Sequence, residues 1–347
     1  MQFQMMSPFV LGLVITNKCN LKCVHCINSA GENEVSELPF EIIKEIIDDA
    51  VDSKIPVLDV NGGEPFVRRD FEKILDYAVS KGLRLQVTTN GTLITDQWLK
   101  KYKGKVSALR ISIDSPHPEV HDKFRGIPGS FEKTLNNVIN ARRNGFVVQV
   151  QMVISRLNQD SIEKMVELMA ESDVSALNVL FLVPAGKGAD ISKEALSSKE
   201  LEQFIGEYNN IRKRLIESKS NLQLIEECPQ NVTLAKDGAS KKNSKCGAGF
   251  TEMVVLNDGY VLPCAAFIAR REDFRVADLD VRKNSLLSIY KDALLFKQVR
   301  QVQLITGKCK NCEYLLGCGG GCRAAAYLST GDIFHEDSMC WHENKQN

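Results

Sequence analysis

The chemistry in this chain is concentrated in its thiols. Eleven cysteines fall within 347 residues: Cys19, Cys23, Cys26, Cys228, Cys246, Cys264, Cys309, Cys312, Cys318, Cys322 and Cys340. The first three form C-x3-C-x2-C in Cys19-Asn-Leu-Lys-Cys23-Val-His-Cys26. A structural zinc site takes four protein ligands, so three thiolates leave such a site one short. Three cysteines suit a four-iron cluster with one iron open to another molecule. On spacing alone, a zinc knuckle completed by His25 is the alternative. An odd count disfavours a closed set of disulfides, and clustered thiols in a reducing compartment read as metal ligands.

The rest of the composition narrows the setting. Lys plus Arg and Asp plus Glu number 44 each, giving a formal charge of zero with no basic cluster. That balance argues against nucleic acid or an anionic membrane as the main partner. Hydrophobic residues at 44% and charged residues at 25% are ordinary for a globular chain, and exclude a disordered, collagen-like or coiled-coil protein. The early apolar run Val10 to Ile15 falls far short of the roughly 20 residues of a membrane span. No charged, cleavable leader precedes it, so the protein reads as cytoplasmic.

The thiols need elements to hold them. Residues 8 to about 185 alternate short apolar runs with amphipathic ones. Strands are expected at Val10–Thr16, Val57–Val60, Arg84–Thr88, Ala108–Ile113, Val147–Ile154 and Ala176–Leu182. Helices are expected near Pro39–Asp52, Asp70–Lys81, Thr95–Lys101, Ser130–Asn144 and Asp160–Ser172. Six βα units imply an α/β fold with a parallel sheet curled as a partial (β/α)6 TIM-type barrel, its chemistry at the strand C-terminal ends. The expected organisation is a barrel over 1–185, a helical bridge over 186–227 and a small cysteine-rich domain over 228–347. In the last, Met253–Leu256, Asn257-Asp258-Gly259 and Tyr260–Leu262 read as a tight β-hairpin. The remainder has little core for its length and is expected to need metal to fold.

A second motif sharpens the first. Asn61-Gly62-Gly63-Glu64-Pro65 follows the second expected strand, where glycines let a ligand approach backbone groups and Glu64 offers a carboxylate to an amine. Together the two motifs resemble the radical S-adenosylmethionine (SAM) superfamily over roughly residues 8–185. The resemblance implies that Cys19, Cys23 and Cys26 hold a [4Fe–4S] cluster whose open iron SAM chelates. It further implies that the Gly62, Gly63, Glu64, Pro65 segment receives the SAM amino group. Asn90, Ser112 and Asp114, at the ends of the next two strands, fall where such enzymes contact SAM, and Arg125 would meet the SAM carboxylate.

The C-terminal thiols read Cys246-x12-Gly259-x4-Cys264, then Cys309-x2-Cys312-x5-Cys318-x3-Cys322-x17-Cys340. A zinc ribbon is the simpler reading of paired cysteines. The full string resembles the SPASM extension of radical SAM enzymes, which carries two auxiliary [4Fe–4S] clusters. The resemblance implies that Cys246, Cys264 and Cys322 serve one cluster, and Cys309, Cys312, Cys318 and Cys340 the other. Cys228 is left as the fourth ligand of the first, or as a hydrogen-atom donor in catalysis, or as a buried thiol.

The resemblance implies an enzyme with SAM and three [4Fe–4S] clusters as cofactors. It would cleave SAM to a 5′-deoxyadenosyl radical that abstracts hydrogen from an unactivated carbon. A flavodoxin or ferredoxin-type reductant would supply the electron. The first-ranked substrate is a ribosomally made peptide, with a small molecule as the alternative. Only 18 residues precede Cys19, so no built-in leader-recognition domain is expected and a separate leader-binding protein is a candidate partner. Phe124–Phe131, Phe181–Gly188 and Gly319–Asp332 also resemble the tetrapyrrole-modifying branch, which ranks second. Sugar or aminocyclitol oxidation ranks third. A non-catalytic iron–sulfur or zinc scaffold is the different-class alternative, and it leaves Gly62–Glu64 without a role.

Overall fold

The computed structural model describes residues 6–31, 37–226 and 246–342. Its frame is a nine-stranded sheet in the order β7-β6-β5-β4-β3-β2-β1-β8-β9. The strands are β1 (Val10–Val14), β2 (Val57–Asn61), β3 (Arg84–Thr89), β4 (Val106–Ser112), β5 (Val148–Ile154), β6 (Ala176–Phe181), β7 (Gln223–Glu226), β8 (Glu252–Val255) and β9 (Val261–Leu262). Every pairing is parallel except the β8–β9 hairpin. Helices α1 (Phe40–Asp52), α2 (Phe71–Ser80), α3 (Asp96–Tyr102), α4 (Pro118–Arg125), α5 (Ser130–Arg143), α6 (Ile162–Glu171) and α7 (Ser198–Glu217) run between the first seven strands. The six expected strands all form, each within about two residues of its expected ends.

The sheet is wider than six strands. The segment expected to be a helical bridge also contains β7, parallel to β6. Four residues with polar ends give little strand signal, and the open edge of β6 supplies the missing stabilisation through backbone pairing. The same logic acts at the other edge, where β8 pairs in parallel with β1, Leu11 opposite Met253 and Leu13 opposite Val255. The cysteine-rich part is therefore joined to the barrel through the sheet itself.

Strand alternation sorts the two faces. Leu58, Val60, Leu85, Val87, Leu109 and Ile111 are fully buried under the helices. There Trp98 packs on Phe66, Phe71, Tyr102 and Phe146. The opposite face is polar. The Thr88 hydroxyl donates to Asp59 at 3.0 Å, and Arg110 lies 3.8 Å from the same carboxylate. A closed barrel fills its interior with branched apolar side chains. This open one keeps a polar floor below its C-terminal mouth, where Thr88 and Ser112 face the cleft.

Candidate active site

The segment bearing Cys19, Cys23 and Cys26 leaves β1 and has no helix or strand of its own. Backbone bonds from three other segments hold it. From the Gly62–Pro65 side, Gly63 N donates to Thr16 O at 2.8 Å and Glu64 N to Lys18 O at 2.9 Å. On a second side, Lys22 N and Val24 N donate to the carbonyls of Arg125 and Phe124 at the end of α4. On the third, Lys187 N donates to Cys26 O at 3.0 Å. Gly186 has φ +56°, and a Cβ there would overlap the carbonyl oxygens of Ile27 and Cys26. Two stretches singled out in the sequence, Phe124–Phe131 and Phe181–Gly188, thus act as clamps on the cysteine loop.

Each thiol of the triad already has a donor. Leu21 N approaches Cys19 Sγ at 3.4 Å, Ala30 N approaches Cys26 Sγ at 3.4 Å, and Arg125 Nη1 lies 3.7 Å from Cys23 Sγ. Burial nevertheless pushes Cys19 up to about 11 and raises Cys23, since a thiolate taken out of water is costly. Donors aimed at sulfur, together with thiols that need a positive partner, fit an iron–sulfur cluster. Among the described residues no three His, Cys, Asp or Glu side chains converge on a single-ion site; a multi-iron cluster spreads its thiolates more widely. His25 turns Nε2 toward Asp114 Oδ2 at 3.7 Å, and burial lowers it to about 4, so the ring is neutral.

The expected SAM-contacting residues divide into two groups. Gly62, Gly63, Asn90, Ser112 and Arg125 line one cleft of about 590 Å³ with the three thiols. Glu64, Pro65 and Asp114 stand behind it. The Glu64 carboxylate is fully buried, and accepts from Thr89 Oγ1 at 2.7 Å, Asn90 N at 2.7 Å and Phe66 N at 3.2 Å. These bonds pin the glycine segment to the end of β3. Burial raises it to about 7 against the pull of those three donors.

Asp114 is likewise fully buried and accepts from Val153 N at 3.1 Å. Burial pushes its carboxyl up, yet Arg125, His25 and His121 hold it below the usual range. Arg125 Nε sits 2.7 Å from Asp114 Oδ2. The guanidinium thus bridges Asp114 and Cys23.

The C-terminal thiols form two neighbourhoods. Beyond burial, Cys246 and Cys322 raise Cys264 electrostatically, and Cys340, Cys312 and Cys318 raise or surround Cys309 in the same way. Cys228 lies outside the described residues. Glu252 is a described carboxylate whose charge reaches both Cys246 and Cys264. Two buried residues were missed in the sequence: Asp337, fully buried, and Arg323, 4% exposed. No sequence signal marks them, since a charged residue between cysteines becomes a candidate only once its burial is known. Cys322 lines the cleft with Ala265, Ala266 and Met339, facing the barrel thiols. No described helix is long and apolar enough to cross a membrane.

Known proteins share this sequence pattern and this fold. Residues 13–169 match the Radical SAM superfamily, and residues 246–313 match the SPASM iron–sulfur cluster-binding domain. The AdoMet-dependent heme synthase of Methanosarcina barkeri is 31% identical over 351 residues, covering 96% of each chain. Mycofactocin maturase MftC of Mycolicibacterium smegmatis is 28% identical over 337 residues, covering 96% of this chain and 83% of that protein. The fold of Streptococcus suis SuiB bound to S-adenosylmethionine superposes with a TM-score of 0.80 at 19% identity, over 97% of this chain and 78% of that one. This chain belongs to the radical SAM superfamily and carries a SPASM iron–sulfur domain.

Proposed function

We propose that this radical SAM/SPASM enzyme oxidises an apolar side chain of a ribosomally made peptide. The carrying observation is the cleft. Cys19, Cys23, Cys26 and Cys322 line it together with the apolar side chains of Ile27, Leu180, Leu182 and Val183. Among the described residues lining it, the arginine is Arg125, already engaged by Asp114 and Cys23, and His25 is neutral. An uncharged substrate group suits such walls better than one bearing several carboxylates.

When bound, SAM and a reduced cluster would supply the radical chemistry that removes a hydrogen atom from the substrate. The chain holds three thiolates for the cluster, presents the Gly62–Gly63 backbone and Arg125 to SAM, and excludes water with apolar walls. The remaining thiols are assigned to two auxiliary clusters, with Cys228 as the fourth ligand beside Cys246, Cys264 and Cys322. Twelve irons per chain are expected on that assignment. A flavodoxin or ferredoxin-type protein is the proposed reductant, and a separate leader-binding protein the proposed partner for a leader-bearing peptide.

A tetrapyrrole substrate is the second reading. It is favoured by the heme synthase likeness, which spans nearly the whole of both chains. The two are separated by incubating the reconstituted enzyme with SAM, reductant and either a deuterated candidate peptide or Fe-coproporphyrin III. Deuterium recovered in 5′-deoxyadenosine from the peptide supports the first. Turnover of the porphyrin with no peptide-derived label overturns it.

A further inference from the structure

The stretch Gly319–Asp332 resembled tetrapyrrole enzymes in sequence, yet its beginning lies where the two groups of C-terminal thiols meet. Cys318 belongs with Cys309, Cys312 and Cys340, whereas Cys322 belongs with Cys246 and Cys264. Three glycines join them, all with positive φ, at 74°, 82° and 78°. Side chains rarely adopt that backbone. At Gly321 the space is also taken, since a Cβ there would lie 2.5 Å from Asp337 Oδ2. That same oxygen accepts from Cys322 N at 2.7 Å, while Oδ1 accepts from Met339 N at 2.9 Å. The turn is therefore wrapped around a fully buried carboxylate.

Arg323 lies on the other side of Cys322. Its guanidinium is spent on main-chain carbonyls, Ile333 O at 2.9 Å, His335 O at 2.6 Å and Gly320 O. Two opposite charges thus sit in an apolar, thiol-rich interior. Burial does most to raise the surrounding thiols. The Asp337 charge adds to it at Cys322, Cys246, Cys318 and Cys340, which come from both groups. Arg323 acts oppositely at Cys246 and Cys309. The carboxylate itself meets the Cys322 amide, whereas Cys340 of the other group reaches Asp337 through the main chain, Cys340 N donating to Asp337 O at 3.0 Å.

We infer that Asp337, wrapped by the Gly319–Gly321 turn and opposed by Arg323, is a positioning residue that sets the reduction potentials of the two auxiliary clusters relative to each other. Net charge and hydrogen bonding around the sulfurs are the levers by which a protein tunes such a potential. A negative charge nearer the Cys322 group disfavours reduction there more than at the Cys318 group. The inference rests on the proposed pair of auxiliary clusters.

The test is an EPR-monitored redox titration of the full chain, reconstituted without oxygen, with iron and sulfide counted in the same samples. Asp337→Asn keeps the shape and removes the charge. Reduction of the Cys322-bearing cluster should become at least tenfold easier, an upward shift of about 59 mV for a one-electron couple. The Cys318-bearing cluster should shift upward less. The Cys19, Cys23, Cys26 cluster should not move and serves as the internal control. Asp337→Glu, which restores the charge, should return both potentials toward the parent. Full iron with unmoved potentials in Asp337→Asn overturns the inference. Should that variant lose iron, Arg323→Gln carries the test with the opposite sign: lower potentials support the inference and unchanged ones overturn it. Iron loss in both marks the pair as structural support alone, which also overturns it. A parent holding fewer than three clusters counts instead against the proposed cofactor set.

Discussion

The two thiol-bearing regions are built on different principles. The Cys19–Cys26 loop has no regular structure, but it rests on the C-terminal ends of a buried parallel sheet, and three segments bond to its backbone. Between residues 246 and 342 the described helices are short, the longest α-helix being the eight residues Arg323–Thr330. Around Cys309 the apolar support shrinks to a satellite of Val302, Ile305 and Cys309 itself. Where a core is large, a metal loop is shaped in advance and the metal is held by the fold. Where the core is small, metal binding contributes folding free energy directly. The expectation of little core therefore holds only around Cys309, where order is expected to depend on metal; Met253 to Val299 contribute Leu262, Phe267, Tyr290 and Phe296 to the main core shared with the barrel.

The largest effect expected is at the preformed site. Changing Cys19, Cys23 and Cys26 together to Ala should abolish 5′-deoxyadenosine formation and remove about four irons, from one four-iron cluster, while far-UV circular dichroism stays near the parent. Unfolding of that variant would break the comparison, because it would make the first loop metal-dependent too.

Removal of all iron by an anaerobic chelator should divide the molecule. Hydrogen exchange should accelerate most around residues 302–318, where the apolar support is a small satellite, while amides of β2 to β5 keep their protection. Uniform loss of protection would show that the barrel needs the clusters as much as the C-terminal part does.

A smaller effect is expected at Glu64. Glu64→Gln turns an acceptor of three donors into a group with one acceptor and one donor end, leaving a buried N–H partner unpaired. The cost should be about 1–3 kcal/mol of stability. Calorimetric titration should show weakened SAM binding, although the carboxylate itself stands behind the cleft. Unchanged stability with weakened SAM binding would instead mean direct contact with SAM.

The smallest effect concerns the clamp from α4. Gly129 at the N-cap of α5 has no side chain to offer, so Asp122 accepts from Gly129 N at 2.6 Å, Ser130 Oγ at 2.8 Å and Phe131 N at 2.8 Å. Asp122→Ala should cost about 1 kcal/mol in thermal or denaturant unfolding. Burial pushes this carboxyl up, but the three donors outweigh it and hold it below its usual 3.8. A depressed carboxyl stabilises the fold above its unfolded value and loses that contribution as pH falls. The gap between parent and variant should therefore be constant near neutrality and close below about pH 4. A gap that persists in acid would point to packing rather than charge.

The sequence by itself determined the family and the thiols. Fixed spacings between cysteines are local facts, and they survive any fold that brings their ends together. Strand and helix periodicity likewise marked the six barrel strands, because apolar alternation is written residue by residue. The tertiary structure alone decided the rest. Only the open edges of β1 and β6 explain why Glu252–Val255 and Gln223–Glu226 join the sheet. That the Glu64 carboxylate also ties Thr89 and Asn90 to the glycine segment is visible only in the fold. Asp337 drew no notice among exposed-looking neighbours, since a carboxylate's importance depends on which thiols surround it. Those neighbours come from residues 246, 318, 322 and 340, and no local pattern records that they meet. Electrostatics acts through space, and the chain's order does not encode that distance.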